Sequence, residues 1–145
     1  ISSYVLNSCF FRIPPPQRNN TEITVLGKFN AGYKLWHSCF IHLPKLTRYT
    51  LGVKIDNLFT DSLEMTLHAK YAARENKLGK ITQLSIAFDS LKFFLQLLWE
   101  AHALEDKQYL ALSQHLVEIG KMIGGWMNSL KKGTPPRQYV GEEHR

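Results

Sequence analysis

The stretch "LPKLTRYTLGVKIDNLFTDSLEMTLHAKYAARENK", residues 43–77, predicts one long helix that is apolar on two sides. A helix that packs on one side needs an apolar stripe covering about a third of its circumference. One apolar face contains Leu46, Tyr49, Val53, Leu63, Leu67 and Tyr71. A nearly opposite face contains Leu51, Ile55, Leu58, Met65 and Ala69. Because a polar strip of Lys54, Asn57, Asp61, Glu64 and His68 runs between the faces, each face needs its own packing partner.

Apolar residues spaced three and four apart predict four helices in all, at about 25–43, 45–74, 78–104 and 105–131. Pro44 separates the first two, and no proline interrupts the chain from there to Pro135. Since connections of a few residues make successive helices antiparallel neighbours, the sequence predicts an all-α, up-down-up-down four-helix bundle. Gly120, Gly124 and Gly125 predict a close backbone approach by a neighbour, or glycines tolerated on an exposed face.

The length of 145 residues predicts one domain. We expect the bundle at 25–131, a poorly ordered N-terminal tail at 1–24 and a C-terminal tail at 132–145. Cys9 and Cys39 are the only cysteines, which favours a reducing compartment, with Cys39 as a small buried hydrophobe. No apolar run reaches the roughly 18 to 20 residues of a membrane span. We therefore expect a cytoplasmic protein without membrane contact.

The third predicted helix is two-faced as well, with Ile86, Phe93, Leu97 and Leu104 away from its main stripe. Large exposed apolar patches are rare on soluble monomers, so another copy of the chain is the simplest cover for these second faces. The alternative is cover by the N-terminal tail or the first helix. The predicted oligomer interface consists of Leu51, Ile55, Leu58, Met65, Phe93 and Leu97.

The formal net charge is +6, and the predicted topology concentrates cations at one pole of the bundle. That pole collects Lys28, Lys70, Arg74, Lys77, Lys80, Lys131 and Lys132, with Glu75 as the main opposing charge. The other pole is mixed, because Glu100, Glu105 and Asp106 offset its cations. A one-ended basic cluster predicts nucleic-acid binding through phosphates. Lysines at helix C-termini can also simply complement the helix dipole.

Catalytic patterns are not recognisable in the sequence. A di-iron bundle needs Glu-x-x-His motifs, whereas Glu64 and His68 are four residues apart and Glu100 and His102 are two apart. His37, Cys39 and His42 point in different directions on a helix and would not converge on one metal ion. Gly-rich phosphate loops, Cys-x-x-Cys pairs and nucleophile–base pairs are missing as well. We expect no catalytic, cofactor or metal site; a small metal-dependent bundle enzyme is the hypothesis this pattern opposes.

Three stretches of the chain are distinctive: "RYTLG" at 48–52, Tyr109-x-x-Leu112-Ser113, and "EIGKMIGGW" at 118–126. With them, residues 26–131 resemble the accessory variability determinant family of diversity-generating retroelements. The resemblance implies a basic four-helix bundle that assembles into a pentameric barrel. It also implies binding to the cognate reverse transcriptase and template RNA during mutagenic retrohoming, the adenine-directed copying of a template repeat into a variable gene.

A second resemblance is to the four-helix-bundle proteins encoded by intervening sequences in large ribosomal RNA genes, an RNA-binding type. That branch carries a Ser-Ile-Pro-x-Asn-Ile-Ala-Glu-Gly stretch in its second helix. The corresponding region here reads "DNLFTDSLEM", residues 56–65, with neither proline nor glycine. The departure favours the retroelement family.

Overall fold

The computed structural model describes residues 21–133, with side chains from residue 25 onward. Within this range the chain is all helical, with α1 at Thr21–Phe40, α2 at 45–71, α3 at Arg74–Glu100 and α4 at Asp106–Lys132. Each helix packs against the next along the chain, and α1 closes the arrangement against α4. The predicted four-helix bundle is thereby confirmed. Its assembly into a barrel stays a prediction.

The second helix begins with an irregular turn. It consists of Lys45–Thr47, a π-helical segment Arg48–Gly52, and Val53–Tyr71. Arg48 donates from Nε and Nη2 to the Leu43 carbonyl oxygen, at 3.3 and 3.1 Å, and so ties the entry of α2 to the preceding loop. Gly52 is buried, and a Cβ added there would lie 2.8 Å from Cε1 of Phe40. The glycine therefore lets the widened turn pack directly on the end of α1.

The break between α2 and α3 comes earlier than predicted. Ala72 and Ala73 are extended, with ψ of 154° and 151°, where the sequence predicted helix to residue 74. Alanine is the best helix former, so no breaker residue marks this turn. A side-chain contact across the turn stabilises it: Lys77 Nζ donates to the carbonyls of Ala69 and Lys70, at 2.9 and 2.7 Å, and satisfies the end of α2.

Other helix limits also differ from the predicted ones. The first helix begins at Thr21 rather than 25 and ends at Phe40 rather than 43. The third ends at Glu100 rather than 104, because His102 adopts a left-handed φ of 63°. The fourth begins after a capping box in which Glu105 and Gln108 bond to each other's backbone N–H groups.

The predicted stripes of α3 and α4 form much of the core, together with α1 and α2 residues such as Trp36 and Phe59. Six of the seven residues of the predicted α3 stripe are buried, Ile81, Leu84, Phe88, Leu91, Leu95 and Leu98, and the seventh, Trp99, is partly buried. From α4 the buried residues are Leu112, Leu116, Ile119, Ile123 and Trp126. Cys39 is buried with a free thiol, as expected of a small hydrophobe, and burial raises its pKa. A thiol held in its neutral form is a poor nucleophile.

The orientation of α2 corrects the predicted interface. Ile55 is completely buried in the bundle core and is not available to a second chain. Leu51, Leu58 and Met65 are half-buried against the same core. The exposed apolar residues of α2 are instead Leu46, Tyr49, Val53, Leu67 and Tyr71.

Two features explain why the sequence predicted that the Ile55 face of α2 would be exposed to a second chain. Asp56 accepts hydrogen bonds from Tyr33 Oη at 2.9 Å and Trp36 Nε1 at 3.1 Å, which fixes the rotation of α2 against α1. Burial, and secondarily the Asp56 carboxylate, raise the pKa of Tyr33, so its hydroxyl remains a donor. The buried stripe also contains Ser62 and Thr66, which weaken its apolar signature. On α3, Phe93 and Leu97 do lie on the exposed side, and their role in an interface stays a prediction.

The glycines of α4 do not follow the predicted close approach. A Cβ at Gly124 or Gly125 would meet nothing within 4 Å among the described residues, so the exposed-face alternative applies to both. Only a Cβ at Gly120 would touch a neighbour there, the Phe88 ring at 3.4 Å.

The predicted tails lie mostly outside the described residues. Residues 1–20, with Cys9, and residues 134–145 are not covered. From 21 to 133, no helix combines the length and the apolar character needed to cross a membrane.

Candidate nucleic-acid interface

One pole of the bundle joins the end of α2, the start of α3 and the end of α4. Arg74 Nη2 donates to the Gly133 carbonyl oxygen at 2.6 Å, linking the first residue of α3 to the residue after α4. Lys77 links α3 to the last turn of α2. This pole therefore brings Lys70, Arg74 and Lys77 together with Lys131 and Lys132 in the last turn of α4.

Apart from Lys70, which lies beside the Tyr71 ring, the cations assigned to this pole fall into two groups. Arg74 and Lys77 donate to backbone carbonyls and hold the helix ends in place while retaining their charge. Lys80, Lys131 and Lys132 are exposed and make no ion pair with any residue between 25 and 133. The second group can turn towards a ligand without breaking a contact of the fold.

Lys28 does not belong with the others. Its Nζ lies 3.1 Å from Glu118 Oε1, in the middle of α4, so the pair lies along the side of the bundle. The neighbouring carboxylate offsets the positive potential of this lysine. The two residues are 90 positions apart in the chain, and no local sequence signal indicates their contact.

Tyr71, at the end of α2, is a residue of this pole that sequence reasoning assigned only to an apolar face. It is 74% exposed, and Lys70 Nζ lies 5.1 Å from the centre of its ring. The sequence feature that could have identified Tyr71 is an aromatic residue next to a lysine near the end of a predicted helix. Exposed lysines act as point charges that contact phosphates without reading sequence, so the pole can bind a polyanion with little base specificity.

The three distinctive stretches of the sequence have architectural roles. "RYTLG" forms the π-helical turn Arg48–Gly52. Tyr109 stacks on Trp99, with ring centroids 4.7 Å apart and planes within 9°. "EIGKMIGGW" places Ile119, Ile123 and Trp126 in the core.

A family model described as bAvd-like matches residues 25–130, which is nearly the whole bundle. The chain belongs to the bAvd-like family. This confirms the resemblance to accessory variability determinants seen in the sequence. The family is one of helical accessory proteins and is not a known enzyme family. No curated protein matches the chain.

The bAvd-like match includes most of the basic pole. Lys70, Arg74, Lys77 and Lys80 lie inside the matched range, and Lys131 and Lys132 follow directly after it. Most of the basic pole therefore lies in the part of the chain that the family model matches.

The opposite pole has a different character. Trp99 Nε1 donates to Asp106 Oδ1 at 2.8 Å, beside a cavity of 290 Å³. The cavity is lined by Trp99, Glu100, His102, Leu104 and Asp106. Its carboxylates disfavour a polyanion, which makes the basic pole the better candidate site. In the part of the chain that the structure describes, no three His, Cys, Asp or Glu residues are grouped as metal ligands.

Proposed function

We propose that this bAvd-like protein is a non-catalytic accessory protein of a diversity-generating retroelement. It binds template RNA at its basic pole, binds the cognate reverse transcriptase and supports mutagenic retrohoming. The observation that supports the proposal is the exposure of Lys131 and Lys132, without ion pairs among the described residues, in the last turn of α4, where Arg74 joins α3 to Gly133 in a bundle of this family. Lys80, two turns into α3, is exposed and unpaired among the same residues. The family match supports this function over that of the ribosomal intervening-sequence proteins.

The proposal includes a homo-oligomer, for which the resemblance implies five subunits. Exposed apolar side chains on α3, Ile86, Phe93 and Leu97, support a contact between copies. Several basic poles in one assembly would raise the local positive potential and allow one RNA to contact more than one subunit.

RNA binding is tested by reversing the exposed charges that the fold does not use. Lys80→Glu, Lys131→Glu and Lys132→Glu together should lower RNA affinity more than about tenfold at 0.1 M salt. The slope of log K against log salt should also become shallower, by about 0.7 for each phosphate of a single strand that the variant no longer neutralises. Fluorescence anisotropy over a salt series measures both.

The matched control changes three exposed lysines away from this pole, Lys34→Glu, Lys45→Glu and Lys107→Glu, with the same change in net charge. An equal loss of affinity in both triple variants would show that overall charge, rather than the basic pole, governs binding. No RNA binding by the unchanged protein at low salt would remove the proposed function.

The polymerase part of the proposal is tested by reconstitution. The purified protein alone should neither copy nor cleave nucleic acid. Added to the cognate reverse transcriptase and template RNA, it should raise cDNA synthesis from that template and form a complex visible by size-exclusion chromatography. Full cDNA synthesis without it, together with no complex, would contradict the accessory role.

A further inference from the structure

The exposed aromatic ring of Tyr71 is a feature of the basic pole that phosphate binding does not require. It is 74% exposed at the last residue of α2, and no other aromatic ring of the described residues packs against it. Its neighbour is a cation, the Lys70 ammonium 5.1 Å from the ring centre. The two residues that follow are alanines, which add only methyl groups beside the ring.

The charges around Tyr71 indicate what can cover it. The Lys70 ammonium lies beside the ring and has no ion pair among the described residues, so an apolar protein surface placed on this ring would remove that cation from water without compensation. A nucleotide presents a flat base next to a phosphate. It can stack on the ring while its phosphate meets the adjacent cations.

We propose that Tyr71 is a stacking platform for an unpaired base, so that the basic pole prefers single-stranded RNA over duplex RNA. This inference rests on the proposed RNA binding and adds the strandedness of the ligand. Bases in a duplex are stacked on each other and their faces are not accessible, whereas those of single strands, loops and bulges are. Phosphate contacts alone would not give the same preference.

The molecule contains a matched control for this ring. Tyr49 lies near the other end of the same helix, is 62% exposed, and has the Arg48 guanidinium 5.9 Å from its ring centre. The two tyrosines share residue type, helix, exposure and a cation beside the ring. They differ in the pole at which they lie.

The test compares Tyr71→Leu, Tyr71→Phe and Tyr49→Leu for binding to an unstructured RNA oligonucleotide and to an RNA duplex. Tyr71→Leu should lower single-strand affinity about ten- to a hundredfold, the range typical of losing one stacked base. Its salt slope should not change, because the substitution removes no charge. Tyr71→Phe keeps the ring and should bind normally, Tyr49→Leu should bind normally, and duplex affinity should be the same for all.

Light scattering separates stacking from a subunit contact. Leucine keeps apolar area, so Tyr71→Leu should retain the mass of the unchanged protein. A lower mass, an equal loss on duplex RNA, or a similar loss in Tyr49→Leu would overturn the inference. Unchanged single-strand affinity in Tyr71→Leu would also overturn the inference. The proposed function would still stand in that case if the triple charge-reversal variant lost RNA affinity. Failure of the unchanged protein to bind either RNA would remove both.

Discussion

At the level of single residues, the entry of α2 depends on Arg48 and Gly52. The arginine holds the Leu43 carbonyl, and the missing Cβ of the glycine leaves room for the Phe40 ring. π-Helical turns are uncommon and frequently occur at functional sites. Here the turn also leaves Tyr49 and Thr50 exposed on its outer side. The contacts of Arg48 with Leu43 and of Gly52 with Phe40 therefore give the "RYTLG" stretch a structural role at the start of α2.

Gly52→Ala should lower the free energy of unfolding by about 1 to 2 kcal/mol. The new methyl group would meet Cε1 of Phe40 at 2.8 Å and Leu43 at 3.2 Å, and overpacking outweighs the gain in helix propensity. Gly124→Ala is the control, because a Cβ there would lie more than 4 Å from every described residue outside its own helical turn. It should stabilise by about 0.5 to 1 kcal/mol. Urea denaturation measures both, and stabilisation by both substitutions would contradict the packing role of Gly52.

At the level of helices, the α2–α3 turn depends on a side chain five residues away from it in the chain. The break at Ala72 leaves carbonyl groups of the last α2 turn without intrahelical partners, and Lys77 reaches back to two of them. The same lysine adds charge to the basic pole. Its replacement would therefore affect stability together with any RNA affinity of the pole, which is why Lys77 is left out of the triple charge reversal.

Lys77→Met should lower the free energy of unfolding by about 1 to 2 kcal/mol, since it removes charged hydrogen bonds to Ala69 and Lys70 at a partly buried position. Lys80→Met, one turn later on the same helix and exposed, should change stability by less than about 0.5 kcal/mol. Amide hydrogen exchange should accelerate in the last turn of α2 for the first variant. Equal stability of the two variants would show that the contacts of Lys77 do not hold the turn.

At the level of the whole molecule, exposed large apolar residues occur on α2, α3 and α4 among the side chains described from residue 25 to 133. They include Leu67 and Tyr71 on α2, Ile86 and Phe93 on α3, and Val117 on α4. Those on α3 lie opposite its buried stripe, as the two-faced pattern of the sequence predicted. Ile55 and Phe93 now have different expected roles, because Ile55 is in the core and Phe93 is 61% exposed.

If α3 forms the proposed contact between copies, Phe93→Glu should reduce the mass of the protein in solution while preserving helical circular dichroism, because a charge at that contact opposes association. Val117→Glu changes an apolar residue that is 55% exposed on α4, outside the predicted interface, and should leave the mass unchanged. Ile55→Glu should instead unfold the chain, since it buries an unpaired charge. A monomeric unchanged protein in light scattering would contradict the oligomer.

The helical class, the bundle and the core stripes of α3 and α4 were readable from sequence because they depend on local periodicity. Ile81 to Leu98 and Leu112 to Trp126 recur at helical spacing. The single stripe of α4 leaves one way to pack, and on α3 the longer of the two apolar faces is the buried one. The clustering of Lys70, Arg74 and Lys131 at one pole also followed from topology and short connections.

Contacts between distant residues could not be read in this way. The rotation of α2 is set by the bonds from Tyr33 and Trp36 to Asp56, the pole is joined by Arg74 and Gly133, and Lys28 is paired with Glu118. A helix with two apolar faces has two plausible orientations of similar burial, and its local pattern does not distinguish them. The choice between them comes from hydrogen bonds and packing across the bundle, which exist only after the helices have come together.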